Sequence, residues 1–211
     1  MTLETDTPNV ATAVTAVQIR QGEEGAFTGW LTELNKTIAT LPGYVSAVVI
    51  PPVPPLQSDW VMVQRFQTIE QLRAWLDSDE RRSLLDRGAS LLVDEGTTNV
   101  IEGAPSDSPR DMVTEVITVS VKPGMEEACR DWVDRIRQVE ARFPGDRGLQ
   151  LQPPIPGVQD DWVSLLRFDT AEHLNAWLES DARREALKEA ETFVDRTNNS
   201  GHILLGLVHL W

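Results

Sequence analysis

The sequence predicts an α+β chain made of two tandem β-α-β-β-α-β domains. Three observations carry this. Trp30, Trp60 and Trp75 return as Trp132, Trp162 and Trp177, each time 102 residues later. With that offset and no gap, residues 14–96 lie over residues 116–198 with 29 identities in 83 positions, an internal repeat rather than a chance match. Within each copy the apolar pattern alternates between the strand period and the helix period in the same order. Length alone leaves 211 residues undecided between one and two domains. The repeat places domain 1 at 12–103, a polar Gly/Pro-bearing linker at 104–111 and domain 2 at 112–211.

Each copy opens on a β-branched, alternating strand, at 13–20 and at 113–122. A glycine turn leads into a helix of about 16 residues, predicted over 23–40 and 125–142, which stops at Pro42-Gly43 and Pro144-Gly145. A second strand follows at 44–50, with a weaker counterpart at 148–152. The proline-rich stretches after it are too stiff and donor-poor for a central strand. A third strand runs 60–66 and 162–168. Thr68 and Thr170 sit where helix N-caps belong, with Gln71 completing a capping box in the first copy. Ser78-Asp79 and Ser180-Asp181 restart a helix predicted to reach about residues 93 and 195. The last strands are predicted at 97–102 and 201–211.

This order folds as a ferredoxin-like sheet with both helices on one face. Both alternating sets of 60–66 are largely apolar, so the other sheet face also needs cover. The economical solution is that the two copies bury these faces on each other, forming an intrachain pseudo-dimeric α+β barrel. A longer final strand ending in Trp211 offers an edge through which pseudo-dimers can associate into a homo-oligomer.

Composition narrows the partners. Nineteen basic against thirty-three acidic residues give a net charge of -14, which argues against nucleic acid and against anionic lipid. One cysteine, Cys129, excludes an intrachain disulfide and any multi-cysteine metal site. No membrane span and no signal-peptide pattern is read in the sequence, so a cytoplasmic protein is expected.

The frame of strand, turn, helix ending in Pro-Gly, proline-rich loop, W-V-x-x-x-R-F and T-x-E-x-L-x-A-W-L-x-S-D-x-R-R resembles the antibiotic biosynthesis monooxygenase-like domains of the dimeric α+β barrel class. The blocks 60–82 and 162–184 carry most of the resemblance. It implies a small-molecule pocket between sheet and helices. It also implies a cofactor-independent monooxygenase, using neither flavin nor metal, that acts on a small hydrophobic or aromatic molecule of the phenol or quinone type. A non-catalytic ligand-binding or structural pseudo-dimer is the alternative. Haem degradation, found in another branch, is the less favoured one. By that branch's register the axial His slots are Leu85 and Leu187 and the Asn slots are Thr15 and Ile117, all lacking the required residue.

The substrate-binding candidates are Trp60, Trp162, Trp75, Trp177, Met62 and Ser164. Trp75 and Trp177, beside Leu on a helix, read first as core; Trp60 and Trp162, after a loop, suit core or pocket wall alike. Arg65 and Arg167, inside an apolar strand, must be paired or face a cavity. They read either as partners of Asp59/Asp161, Glu70/Glu172 or Asp79/Asp181, or as forks for a phenolate or carboxylate. Arg81-Arg82 and Arg183-Arg184 read as a solvated or salt-bridged face. His202 joins Arg65 and Arg167 as a catalytic candidate, a proton acceptor for phenol chemistry; His173 and His209 read as surface and strand end. The copies differ at Met62/Ser164, Gln64/Leu166 and Val100/His202, so unequal cavities are expected.

Overall fold

In a computed structural model of the chain, residues 10–52, 54, 57–103 and 112–205 are described. They divide into two units on either side of residues 104–111. The first unit runs β1 (Ala11–Val17), α1 (Glu24–Ile38), β2 (Tyr44–Ile50), β3 (Trp60–Phe66), α2 (Ile69–Leu76), α3 (Asp79–Gly88) and β4 (Thr97–Glu102). The second runs β5 (Val113–Val121), α4 (Glu126–Glu140), β6 (Asp146–Gln152), β7 (Trp162–Phe168), α5 (Ala171–Leu178), α6 (Asp181–Ala190) and β8 (Val194–Leu205). Each sheet is antiparallel, with strand orders β2-β3-β1-β4 and β6-β7-β5-β8. These are two tandem ferredoxin-like units. Among the described residues no helix is long and apolar enough to cross a membrane.

The helix starts follow from hydroxyl caps. Thr68 and Thr170 accept the N–H groups of Gln71 and His173; Ser78 and Ser180 accept those of Arg81 and Arg183 at 3.1 Å each. Each cap satisfies one of the donors that a helix N-terminus leaves without an intrahelical partner. The return half of the capping box is absent, because Gln71 Oε1 is buried without a hydrogen-bond partner. Gln71 instead packs over Gly43, where φ is +75° and an added Cβ would lie 1.9 Å from Gln71 Oε1. Gly145 repeats the arrangement under His173 and Asp169. Only glycine serves at this turn, for both its conformation and its lack of a side chain.

The last strand departs from the expected span. α3 and α6 end at Gly88 and Ala190, short of residues 93 and 195, and β8 begins at Val194 rather than at residue 201. In the first unit Ile19 and Leu92 form an isolated bridge where the second unit has the continuous pair Val121↔Val194. The register then shifts between Thr118 and Ser120, and β8 takes up one residue more there than the first unit does between Leu92 and Thr97. As a result Gly201 faces Ile117, whereas Thr98 faces Thr15. His202 therefore matches Asn99 in the fold, and Ile203 matches Val100. The Val100/His202 pairing expected from the gapless offset does not hold.

Helix-side and far-side rows of each sheet follow from the register. Trp75 of α2 donates to Gln64 at 3.0 Å and Phe27 of α1 packs edge-on against Trp60 at 5.3 Å, so Trp60, Met62, Gln64 and Phe66 face the helices. Arg65, Val63 and Val61 face the other way, with Thr12, Val14 and Ala16 beside them. Ser78→Ala and Ser180→Ala should each cost about 1 kcal/mol of stability, the usual loss for a hydroxyl cap. Denaturant unfolding would measure it, and no loss at either site would remove the caps from this account.

Candidate functional site

The two units fill the space between sheet and helices differently. In the first, Phe27 is fully buried and stacks on Trp30 with ring centroids 5.6 Å apart, and Met62, on the helix-facing row of the sheet, is 4% exposed. The positions one repeat later are Cys129 and Ser164. Two large side chains are replaced by two small ones at the centre of the layer. The second unit holds a cavity of about 360 Å³ there, within the usual size of a small-molecule pocket.

α4 contributes Cys129, Trp132, Val133 and Ile136 to the wall, and the sheet contributes Ile117, Leu149, Leu151, Ser164 and Leu166. Trp177 of α5, Arg183 and Leu187 of α6 and Glu191 just beyond it complete the enclosure. A second local difference widens the space. Trp30 lies so close to Gly88 that an added Cβ would come within 2.6 Å of its ring. The second unit has Ala190 at that position, so Trp132 cannot adopt the same seat and is only half-buried. Both indoles still tie their helix to its neighbour, Trp30 donating to Leu84 O at 2.8 Å and Trp132 to Ala186 O at 2.9 Å.

Polar groups diverge as well. Gln64, which accepts from the Trp75 indole, is replaced by Leu166, and the Trp177 Nε1 is buried without a hydrogen-bond partner. Ala13 and Ile38 of the first unit are replaced by two acids, Glu115 and Glu140. Glu115 is 7% exposed and faces Arg183 at 3.7 Å. Burial raises its carboxyl, and Arg183 partly opposes that rise. Glu140 is 1% exposed, and neither of its oxygens has a hydrogen-bond partner. Burial pushes its carboxyl up to about 8; Asp146 and Glu115 add to the rise and Arg137 opposes it. Burial also pushes the Cys129 thiol up to about 11, so it is a neutral, soft wall at neutral pH.

The sequence candidates distribute unevenly around this cavity. Ser164 and Trp177 line it. Trp162 is buried on the same sheet side but outside the wall, with the Arg130 guanidinium 5.0 Å over its ring. Trp75 is core, 2% exposed, and Met62 and half-buried Trp60 belong to the filled layer of the first unit. Arg65 and Arg167 sit in the sheet rows that face away from the helices. Burial holds the Arg65 guanidinium down to about 10 and lowers that of Arg167. Arg167 donates to Gln150 at 2.9 Å, while Asp161 accepts from Ser120 and Asp181 pairs with Arg184. Neither arginine lines this cavity. His202 pairs with Val116, another residue of the far row; only its backbone is described, and His209 and Trp211 lie outside the described residues. His173 pairs with Asp169 at 2.6 Å near the surface.

Arg183, read as part of a solvated or salt-bridged face, does pair with Glu115, but its place in the cavity wall was not foreseen, and neither were Glu115 and Glu140. The signal for the acids was available: each stands where the other copy has an apolar residue. Ile117 and Leu187, the second-copy positions of the haem-branch ligands, do line the cavity and are apolar, so they supply no imidazole or amide there.

Residues 112–189 match the family described as antibiotic biosynthesis monooxygenase. Over 74 residues, 35% of this chain, the sequence is 31% identical to an uncharacterized protein of Synechococcus elongatus. The chain spans about a third of that relative's length, 36%. Among solved structures, an anthrone oxidase-like protein is similar over 95% of this chain and 92% of its own, with a TM-score of 0.65 and 14% identity. A monooxygenase candidate of Fusobacterium nucleatum is similar over 95% of this chain and 94% of its own, with a TM-score of 0.56 and 7% identity. At these identities the two structures report the shared fold.

The buried acid gives a test of the electrostatics. A carboxyl whose folded pKa is raised contributes stability that is present below its unfolded pKa and lost as pH rises through the folded value. Glu140→Ile, which installs the residue of the first unit, should therefore be more stable than the parent, by a margin that grows by on the order of 2 kcal/mol between pH 4 and pH 8. Thermal or denaturant unfolding across that range would measure it. An equal difference at both pH values would show that Glu140 is not held in its neutral form.

Proposed function

We propose, from the match of residues 112–189 to the antibiotic biosynthesis monooxygenase family, that the second unit oxidises a small, electron-rich aromatic molecule of the phenol, anthrone or hydroquinone type with O2. The observation that carries this is the apolar cavity opened by Cys129 and Ser164 at a place the first unit fills with Phe27 and Met62.

The chemistry suits such a wall. A deprotonated anthrone-type substrate is rich enough in electrons to reduce O2 itself. One oxygen atom enters the ring carbon as a ketone, the other leaves as water with the two hydrogens lost from that carbon, and the electrons balance without a protein-bound redox group. The protein's part is to hold the ring, keep competing water away from reactive intermediates and admit O2, which partitions into apolar space. Trp132, Trp177 and the aliphatic wall offer flat and soft surfaces to a planar ring. The first unit serves as a filled structural copy.

Oxygen uptake on addition of anthrone or a naphthohydroquinone, with no flavin or metal supplied, would test the proposal. Uptake should fall at least about tenfold in Cys129→Phe/Ser164→Met, because the ring loses its seat. It should be unchanged in Met62→Leu. Ligand binding without uptake across such a panel would replace the oxygenase by a ligand-carrying module. Uptake that survives the filling variant would move the reaction elsewhere.

A further inference from the structure

We propose that Arg183 is the anion anchor of the second unit's cavity, selecting a ligand whose apolar body carries one acidic oxygen, as a phenolate or carboxylate. This deepens the function proposed above by assigning the ligand's polar end.

Among the described residues, Arg183 brings the only permanent positive charge to a wall that is otherwise mostly aliphatic and aromatic. Its backbone N–H is bonded to Ser180 in the N-terminal cap of α6, which fixes the root of the side chain. Its guanidinium lies 3.7 Å from Glu115 Oε1, beyond hydrogen-bond range, and it makes no hydrogen bond to the described residues. Its donors are thus held in place and still available to a ligand. The equivalent Arg81 is arranged differently: it donates to Leu76 O at 3.3 Å, and Ala13 stands where Glu115 would be.

The surrounding charges set how strongly Arg183 attracts an anion. Glu115, buried, opposes it. Glu140 faces Glu115 and Asp146, with Arg137 on its own helix as the counter-charge. While Glu140 is neutral, one cation faces one carboxyl at this end of the cavity. When Glu140 ionises, a second negative charge joins Glu115 and the site becomes less welcoming to an anion. Glu191 is exposed at the rim, where solvent screens it. A cation beside a phenol also lowers the phenol's pKa, which favours the anion that O2 chemistry requires.

The test compares 2-naphthoate with 2-naphthamide, the same ring with and without the charge, by calorimetry on the full chain. At pH 7 naphthoate should bind about tenfold more tightly than naphthamide, since one charge-assisted contact distinguishes them. Arg183→Gln should abolish that preference while leaving naphthamide affinity unchanged, and Arg183→Lys should restore part of it. The preference should shrink above pH 8 in the parent and persist there in Glu140→Gln. An unchanged preference in Arg183→Gln, or no binding of either compound, overturns the proposal. Because no turnover is read, a failed oxygen-uptake assay would leave this result intact, and the reverse also holds.

Discussion

The site rests on a packing constraint: the layer between a ferredoxin-like sheet and its helices is either filled or hollow, according to two side chains. Protein interiors are close-packed, and a deleted ring or thioether is not recovered by collapse when helices and strands are held by their own caps and ladders. Phe27 and Met62 fill the layer in the first unit; Cys129 and Ser164 leave it open in the second. The surrounding frame is the same in both. The indole-to-carbonyl ties of Trp30 and Trp132, the four hydroxyl caps and the glycine turns recur, so the hollow unit keeps the architecture of the filled one.

The polar differences follow the same division. In the first unit the Trp75 indole meets Gln64, and the neighbouring positions Ala13 and Ile38 are apolar. In the second, an indole N–H and two carboxyls are buried with bonding capacity unused. Buried polar groups in that state cost stability. The first unit also holds such groups, at Thr12, Ser46, Gln57 and Gln71, but none replaces an apolar residue of the other copy by an acid as Glu115 and Glu140 do.

Much of this was legible in the sequence, and the failures have physical causes. Periodicity and the 102-residue repeat predicted the order of strands and helices seen among the described residues and the Thr and Ser caps, because caps and turns are local chemistry. The Val100/His202 correspondence was misread because one inserted residue breaks the offset after Val194, and a gapless comparison cannot register it. Arg65 and Arg167 drew attention as charges in an apolar strand. Which sheet face they occupy depends on a strand's parity relative to the helices, and the Trp75–Gln64 contact decides that only in three dimensions. Arg183 and Arg184 were read together as a solvated or salt-bridged face; both make ion pairs, but one position along a helix separates a cavity wall from the surface. The unequal cavities, by contrast, were foreshadowed by Met62/Ser164.

Xenon binds dry, apolar cavities in proteins and reports them independently of any substrate. A xenon-pressurised crystal of the chain is the most direct test of the claim that, among the described residues, this layer is hollow in the second unit and filled by Phe27 and Met62 in the first. The account predicts a xenon site between Cys129 and Ser164, and none between Phe27 and Met62. Equal occupancy in both units, or a second unit without xenon at that position, would contradict it.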